Sequence, residues 1–344
     1  MSEDATIRPI PFGRRAIGPG LPVVVIAEIG INHEGDPATC LRLVEAAAKA
    51  GADAVKLQTV KAAENYAPGT ESYEIFRRAE LAEADTARAF ARARDLGMEC
   101  FTTCGDAPSL EFVASLAPAA WKISSGLLTH LPLIRRAAAT GRTLLLSTGM
   151  TGMAEARMAV DTARAAGAKH LGLFQCTSLY PAPPETLHLR AIPVLAREFG
   201  APAGLSDHSA GSLAPALAVA CGACMIEKHF SLDPSRPGFD HATSLDPAGF
   251  ADMVRTVRLA EAMLGSADKP VPPAVAANAA KYLRCLAARR DIPEGKMLEP
   301  ADLAVLRLSA GRCGLPPEAL DTVPGRRARR ALSAYSAITE EDLS

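Results

Sequence analysis

The sequence predicts a (β/α)8 TIM barrel, an α/β fold, followed by a small β-rich domain. Eight short apolar runs alternate with helix-patterned segments over roughly 250 residues, the usual size of such a barrel. Polar residues follow each run, as expected where barrel strands open onto one mouth. An open doubly wound sheet is the rival, but the first run leads into residues 28–33 (EIGINH), which is not a glycine-rich phosphate turn.

The predicted elements follow one another regularly after a polar lead-in at residues 1–20. The run at 23–29 is continuously apolar, as in a strand buried on both faces, and the helix after it ends at Gly51, a residue typical of C-caps. The excursion at 60–83 is too long for a simple loop, which predicts a functional or partly helical segment. The other predicted strands are 54–59, 99–103, 120–123, 143–147, 171–175, 203–206 and 225–228. The predicted helices are 37–50, 84–96, 107–116, 131–139, 153–166, 187–199, 213–224 and 247–264.

The chain divides into a large and a small predicted domain. The barrel is assigned to residues 1–265, and the Pro-rich stretch 266–280 is predicted to be a linker. Short β-like pieces with Pro and Gly turns predict the small domain at 281–344. Within it, residues 288–303 and 328–343 resemble each other, which predicts two similar halves.

Composition excludes several classes of protein. Of the 344 residues, 49% are hydrophobic and 22% charged, and the net charge is -1, so we expect no nucleic-acid partner and no membrane partner. The longest apolar run, 213–226, is too short to cross a bilayer, and the acidic N-terminus is not typical of a signal peptide, so we expect a cytoplasmic protein. Cys221 and Cys224 have C-x-x-C spacing but are predicted to be small buried apolar residues.

Two histidines follow neighbouring predicted strands. His208 follows the seventh strand and His229 the eighth, so both side chains should enter one cavity about a strand spacing apart. Neutral imidazoles are the commonest ligands of catalytic divalent metals. Either histidine alone favours a strand-capping role with backbone hydrogen bonds, but the pair, with Asp207 and Glu227 beside it, favours a metal site.

Polar side chains at every predicted strand end must find partners, because desolvation costs free energy. They are Glu28, Asn32, His33, Lys56, Gln58, Thr102, Thr103, Lys122, Ser124, Ser125, Ser147, Thr148, Gln175, Thr177, Ser178, Tyr180, Ser206 and Lys228. Two lysines, several hydroxyls and the turn at 147–149 predict a cradle for a small phosphorylated or carboxylated substrate. The alternative is that Lys56 and Lys122 each form a buried salt bridge with an acid such as Glu28. It ranks second, because a structural ion pair does not need a ring of hydroxyls.

Seven motifs give the chain a family resemblance. They are residues 26–33 (IAEIGINH), 51–58 (GADAVKLQ), 121–126 (WKISSG), 146–150 (LSTGM), 176–181 (CTSLYP), 205–208 (LSDH) and 226–230 (IEKHF). In this order they resemble the sialic acid (N-acetylneuraminate) synthase family, NeuB-like, and residues 281–344 look like that family's SAF (antifreeze-like, β-clip) domain. The resemblance implies condensation of phosphoenolpyruvate with an N-acetylated hexosamine, such as N-acetylmannosamine, to a nonulosonic acid and phosphate, with C–O cleavage.

The resemblance also implies roles for individual residues. His208 and His229 would hold a divalent metal, Mn²⁺ or Mg²⁺, that polarises the sugar's aldehyde oxygen. Glu28 would position the attacking water or move a proton, and Lys56 and Lys122 complete the implied catalytic set. Phosphoenolpyruvate would be held by Lys56, Thr103, Lys122, Ser125, Ser147, Ser178 and Ser206. The sugar would face Gln58, Tyr180, Glu227, Asp240 and Arg312.

Two stretches depart from the family pattern. Thr103–Gly105 (TCG) replaces Thr-Pro-Phe beside the phosphate site. In the small domain, the family's Arg-Pro-Gly-x-Gly turn brings an arginine to the sugar's N-acetyl group across a domain-swapped homodimer; here the stretch is 309–317 (SAGRCGLPP). Aligned back from Gly314, the arginine's position holds Ala310, and Arg312 is the candidate substitute.

Three other functions stay open at this point. One is a legionaminic or pseudaminic acid synthase, which uses a 2,4-diacetamido-trideoxyhexose. Another is a Schiff-base aldolase or lyase on the same barrel, with Lys122 or Lys56 as the nucleophile. The last is a carbohydrate-binding protein without catalysis, with the small domain as its binding module.

Overall fold

A hairpin precedes the barrel in the computed structural model, which describes residues 7–309 and 314–344. Strands β1 (Ile10–Phe12) and β2 (Arg15–Ile17) pair antiparallel, and Phe12 packs edge-on against the ring of Phe101 in the barrel interior. Arg15 pairs with Asp53 at 3.0 Å, which places the hairpin at the barrel end where the strands begin. The polar lead-in predicted for residues 1–20 therefore contains a hairpin at 10–17, which the sequence does not reveal because strands of three residues are too short to show alternation.

Eight parallel strands close into a barrel, so the predicted fold class is confirmed. The strands are β3 (Val24–Gly30), β4 (Ala54–Thr59), β5 (Glu99–Cys104), β6 (Trp121–Ile123), β7 (Leu144–Ser147), β8 (Leu171–Cys176), β9 (Ala203–Asp207) and β10 (Met225–His229). Their order is β10-β3-β4-β5-β6-β7-β8-β9, so the last strand pairs with the first. Because the strands are parallel, their C-terminal ends all lie at one mouth.

Helices connect the strands. They are α1 (Pro37–Lys49), α2 (Ala62–Asn65), α3 (Glu71–Ala79), α4 (Glu83–Asp95), α5 (Ala107–Ala114), α6 (Leu131–Ala139), α7 (Met153–Ala165), α8 (Ala191–Phe199), α9 (Leu213–Ala220) and α10 (Pro247–Leu264). Asp36, Asp106 and Asp246 cap α1, α5 and α10 by accepting hydrogen bonds from first-turn N–H groups. None of the helices in the described ranges has the length and apolarity that crossing a bilayer requires.

Two helices differ from their predicted bounds for backbone reasons. The helix predicted at 187–199 begins at Ala191, because His188 has a φ of 44°, which a right-handed helix excludes. The helix predicted at 213–224 ends at Ala220, ahead of Gly222 with a φ of 89°. The excursion after β4 contains α2 and α3, so it is partly helical as expected.

The chain forms a second compact unit after the barrel, from Ser266 to Ser344. It contains α11 (Pro273–Tyr282), which occupies part of the predicted linker, and the antiparallel strands β11 (Cys285–Ala288) and β12 (Leu303–Leu306). Its core includes Leu286, Ile292, Leu298, Leu303, Val323, Leu332, Ile338 and Leu343. The two similar halves are visible in equivalent anchors: buried Asp302 accepts a hydrogen bond from Arg290, and buried Asp342 accepts one from Arg330.

Candidate active site

The C-terminal ends of the barrel strands surround a cavity of about 510 Å³. The predicted site residues that line it are Glu28, Lys56, Gln58, Lys122, Ser125, Ser147, Ser178, Tyr180, Ser206, His208, Glu227, His229 and Asp240. Thr103 is outside the lining, but its Oγ1 lies 3.5 Å from the Nζ of Lys56. Arg312, like Ala310, lies outside the described residues. The polar side chains at the ends of the strands therefore lie together at one mouth of the barrel.

Lys56 lies between two carboxylates in this cavity. Its Nζ is 3.2 Å from Glu28 Oε2 and 3.3 Å from Glu227 Oε1, and Lys122 donates to the same Glu227 oxygen at 3.0 Å. All four side chains are buried. The ion pairs that the salt-bridge alternative expects are thus observed. They leave the predicted substrate cradle open, because buried ammonium groups need carboxylates nearby whatever else they bind.

The two carboxylates differ in acidity. Burial raises the pKa of Glu28 to about 7, although the ammonium group of Lys56 acts to lower it. Burial also acts to raise the pKa of Glu227, but the ammonium groups of Lys122 and Lys56 outweigh it and hold the pKa at about 2. One carboxyl can therefore exchange a proton near neutral pH, while the other stays ionised.

A glycine turn and serine hydroxyls form an open cradle beside the lysines. The N–H of Gly149 donates to Ser125 Oγ at 3.0 Å. A Cβ on Gly149 would lie 2.6 Å from Cys176 Sγ and 2.7 Å from Ser178 Oγ, so glycine keeps this space free. Within the described chain, the buried hydroxyls of Ser147 and Ser178 have no hydrogen-bond partner. They are available to donate to an anion.

His208 and His229 lie side by side at the ends of β9 and β10, with ring centroids 5.2 Å apart. His208 Nδ1 donates to the carbonyl oxygen of Thr177 at 2.9 Å, since a carbonyl can only accept, and in the neutral ring Nε2 keeps a lone pair. Burial acts to lower the pKa of His208, but the Cys176 side chain beside the ring outweighs it and raises that pKa. His229 Nδ1 is buried without a hydrogen-bond partner in the described ranges and lies 3.7 Å from Asp240 Oδ2. Burial lowers the pKa of His229 to about 4, so this ring is neutral at pH 7.

Two imidazoles, which bind metals in their neutral form, fit a divalent metal together with the carboxylate close by. Across residues 7–309 and 314–344, no group of three or more His, Cys, Asp or Glu side chains is arranged to hold a metal. A cation held by His208 and His229 would complete its coordination with water or substrate, as in an open catalytic site.

Part of the cavity wall is apolar, which the pattern of strand ends does not predict. Tyr66 and Phe76, from the excursion after β4, stack with centroids 4.8 Å apart, and Ile75 lies beside them. Phe239, from the loop after β10, and Ile31 also line the cavity. The spacing of apolar residues in the segment after β4 predicts that one face is buried. Whether that face points toward the cavity depends on how α2 and α3 pack, which the sequence does not show.

Some strand-end residues lie away from the cavity. Lys228 and Asp207 are fully buried and pair with each other at 2.7 Å, so they stabilise the β9–β10 edge and do not line the cavity. Asn32 and His33 are buried in the loop after β3, where Asn32 bonds to the loop after β10. Sequence position places these residues near the mouth, but side-chain direction decides which ones line it.

Comparison with known proteins agrees with this geometry. The NeuB family model matches residues 43–269, and the SAF domain model matches residues 284–344. The chain is 37% identical to N,N'-diacetyllegionaminic acid synthase of Legionella pneumophila, over 96% of this chain and 97% of that protein.

Two solved structures share the fold. The N-acetylneuraminic acid (sialic acid) synthetase of Leptospira borgpetersenii, solved in complex with citrate, has a TM-score of 0.75 and 30% identity, covering 79% of this chain and 95% of that one. The spore coat polysaccharide biosynthesis protein SpsE of Bacillus subtilis has a TM-score of 0.70 and 32% identity, covering 98% of this chain and 99% of that one.

Proposed function

The chain belongs to the NeuB family, and we propose that it condenses phosphoenolpyruvate with an N-acetylated hexosamine, giving a nonulosonic acid and inorganic phosphate. The observation that carries this proposal is the cavity at the strand ends, where two lysines, several hydroxyls and two neighbouring imidazoles meet. In barrel enzymes this mouth is where the chemistry takes place.

Lys56 and Lys122 would bind the phosphate and carboxylate groups of phosphoenolpyruvate. Both ammonium groups reach the cavity from buried strands, so their positions are fixed before substrate arrives. The hydroxyls of Ser147 and Ser178, which have no hydrogen-bond partner among the described residues, would donate to the same anion, and Thr103 would position Lys56. Ser125 and Ser206 would complete the phosphoenolpyruvate site.

The acceptor sugar would bind on the other side of the imidazole pair. Tyr180 lies against His208, with ring centroids 4.3 Å apart, and Asp240 lies beside His229. Gln58 donates to Glu28 Oε1 at 3.0 Å, which leaves its amide oxygen to accept from a sugar hydroxyl. These residues would orient the aldehyde toward the phosphoenolpyruvate site.

His208 and His229 would hold a divalent metal, Mn²⁺ or Mg²⁺, which supplies Lewis-acid polarisation of the aldehyde oxygen. The methylene carbon of phosphoenolpyruvate joins the aldehyde carbon, and positive charge develops at C2. Ionised Glu227 would stabilise that charge. Glu28, whose pKa lies at about 7, would accept a proton from the water that adds at C2. The former aldehyde oxygen takes up a proton and becomes a hydroxyl. Phosphate then leaves as its C–O bond to C2 breaks, and the C2 hydroxyl loses its proton and becomes the keto oxygen of the product.

A phosphate-release assay with phosphoenolpyruvate and a panel of acceptors tests this proposal. The panel contains N-acetylmannosamine, mannose and a 2,4-diacetamido-trideoxyhexose. We expect release that requires an N-acetylated acceptor and stops in EDTA. The Lys122→Met variant keeps the side-chain length but loses the charge, so it controls for contaminating phosphatases. Release without acceptor, or no release with any acceptor, would count against the proposal.

A 2,4-diacetamido-trideoxyhexose is the second candidate acceptor, which would make the enzyme a legionaminic or pseudaminic acid synthase. The similarity to the legionaminic acid synthase of Legionella pneumophila favours it. The apolar wall formed by Tyr66, Ile75 and Phe76 also favours it, because a methyl group suits such a wall better than a hydroxyl does. A kcat/KM above that of N-acetylmannosamine would select this acceptor.

A Schiff-base aldolase remains a chemical alternative through Lys122. Burial lowers the pKa of Lys122, as a nucleophilic amine requires, although Glu227 acts to raise it. The hydrogen bond of Lys122 to Glu227 favours the charged ammonium form, which cannot attack a carbonyl. Borohydride trapping with pyruvate distinguishes the two, because only the aldolase would form a stable adduct.

Three expectations from the sequence stay predictions. A non-catalytic carbohydrate-binding protein would bind sugar without phosphate release and lose binding when residues 281–344 are deleted. Analytical ultracentrifugation of the purified chain would check the domain-swapped homodimer that the resemblance implies. Cell fractionation would check the cytoplasmic location.

A further inference from the structure

We propose that Asn32 and Glu34 are positioning residues that set the acceptor-facing wall of the cavity by holding the loop that follows β10. This loop, residues 230–245, is called the β10 loop. It carries Phe239 and Asp240, which both line the cavity. The inference rests on the proposed function for its kinetic readout, because the acceptor is that function's second substrate.

Asn32 uses all of its side-chain polar groups on the β10 loop. It is 1% exposed, and its Nδ2 donates to the carbonyl oxygen of Phe230 and to Ser244 Oγ, both at 3.0 Å. Its Oδ1 accepts from the N–H of Asp240 at 3.1 Å. A side-chain amide has the two N–H donors and the carbonyl acceptor that this set requires. The backbone of Asp240 is thereby tied to the loop after β3.

Glu34 forms the second attachment. Its Oε1 lies 3.0 Å from His241 Nε2, and Arg236 Nη2 donates to Oε2 at 3.0 Å. His241 is 2% exposed, and its Nδ1 lies 2.7 Å from Ser231 Oγ. One carboxylate therefore reaches two points of the β10 loop, and the buried imidazole extends the connection to the loop's start.

Both loops contain a residue in a backbone conformation that needs support from surrounding contacts. Glu34 has a φ of 55° and Phe239 a φ of 51°, in the left-handed region that residues other than glycine rarely adopt. Such conformations persist where surrounding contacts compensate for their cost. The guanidinium of Arg78 adds one such contact, 5.7 Å from the centroid of the Phe239 ring. Phe239 and Asp240 thus owe their positions to the attachments around them.

The attachments act on the acceptor side of the cavity. Asp240 Oδ2 lies 3.7 Å from His229 Nδ1, next to the imidazole pair. Lys56 and Lys122 are instead held by residues of the strands themselves, through Glu227. Displacement of the β10 loop would therefore change the acceptor's contacts and leave the phosphate cradle in place.

Steady-state kinetics of Glu34→Ala tests the inference. We expect the acceptor KM to rise about tenfold, since the contacts of Glu34 with His241 and with Arg236 are both lost. We expect kcat and the KM for phosphoenolpyruvate to stay near wild type. Glu45→Ala is the matched control, because it removes a comparable pair, Glu45 to Arg92 at 2.7 Å between α1 and α4, and should leave both KM values unchanged. Glu34→Gln, which keeps the shape and loses the charge, should fall between wild type and Glu34→Ala.

Hydrogen–deuterium exchange of the full chain supplies a readout that needs no turnover. We expect faster exchange in Glu34→Ala confined to the β10 loop, and none in Glu45→Ala. Asn32→Ala should show the same pattern; if it fails to fold, Glu34→Ala carries the test alone.

An unchanged acceptor KM with unchanged exchange in Glu34→Ala would overturn the inference. So would equal rises in both KM values with a lowered Tm, which would mark Glu34 as a stabilising residue only. A wild-type enzyme that turns over no acceptor would count against the proposed function instead, and the exchange experiment would still decide whether the loop is held.

Discussion

Lys122 and Glu227 form an ion pair across the barrel mouth, with Nζ 3.0 Å from Oε1. Lys122 is on β6 and Glu227 on β10, strands on opposite sides of the closed sheet. Both side chains are buried, and Glu227 also forms an ion pair with Lys56. Both ammonium groups therefore share Glu227 as a counter-charge, and Glu28 supplies a second one to Lys56 alone.

Glu227→Gln tests the shared counter-charge. We expect the free energy of unfolding to fall by about 3 kcal/mol, because two buried ammonium groups lose their shared counter-charge. Phosphoenolpyruvate should raise the Tm of this variant more than that of the wild type, because its anion replaces the missing charge. Thermal denaturation with and without phosphoenolpyruvate measures both effects. Equal ligand-induced shifts in the two proteins would contradict the prediction.

His208→Ala tests the metal site. We expect the purified variant to lose bound Mn²⁺, measured by elemental analysis after dialysis, together with phosphate release. The reason is that a single remaining imidazole, His229, holds a divalent cation weakly. His188→Ala, at an exposed histidine, is the control and should keep both properties. Near-normal phosphate release from metal-free His208→Ala would argue against metal assistance.

Metal and phosphoenolpyruvate should bind cooperatively. The ammonium groups of Lys56 and Lys122 are already balanced by Glu28 and Glu227, so the protein alone offers little net charge to a phosphorylated anion. We expect EDTA to weaken phosphoenolpyruvate binding about tenfold or more, and phosphoenolpyruvate to tighten metal binding by the same factor. Isothermal titration calorimetry measures both. Equal affinities for phosphoenolpyruvate with and without metal would exclude this coupling.

Asp302 gives the second unit a pH-dependent anchor. Burial acts to raise its pKa, but hydrogen bonds from Lys296 and from the N–H of Glu299 outweigh it and hold the pKa at about 2. In the unfolded chain the pKa is about 4. The unfolded state therefore binds more protons between these values, so the stability that Asp302 contributes is full above pH ~4 and is lost as pH falls toward 2.

Asp302→Asn should consequently lower the Tm of the second unit at pH 7, and the difference from wild type should shrink below pH 4. Differential scanning calorimetry measures the transitions. Fluorescence of Trp121, the only tryptophan in the sequence, identifies the barrel transition, because that side chain is buried in the barrel. Asp321→Asn, at an exposed position, is the control. A Tm difference that is the same at pH 7 and pH 3 would contradict the assigned role.

The barrel could be predicted from sequence because the alternation of apolar runs and helical segments is local information. The proximity of His208 and His229 could also be predicted, since consecutive strands are neighbours in such a barrel. The pairing of Lys122 with Glu227 could not, because it joins opposite strands and depends on how far each side chain reaches into the mouth.

The β10 loop marks another limit of sequence reasoning. Asn32 and Glu34 are separated from Asp240 by most of the barrel, so no periodicity connects them. Asn32 is recognisable as a polar residue near a strand end, but its partners are backbone and hydroxyl groups of a loop with irregular conformation. These contacts form because closure of the barrel brings the loop after β3 next to the β10 loop, although the two loops are far apart in the sequence.

The barrel sheet closes only when β10 pairs with β3, so it stays open until late in synthesis of the chain. While residues 225–229 are still inside the ribosome, β3 and β9 both present open edges that can pair with other nascent polypeptides. A translation product that stops before Met225 would keep both edges exposed. Chaperones should therefore bind this polypeptide through most of its elongation and release it once the last barrel strand has emerged.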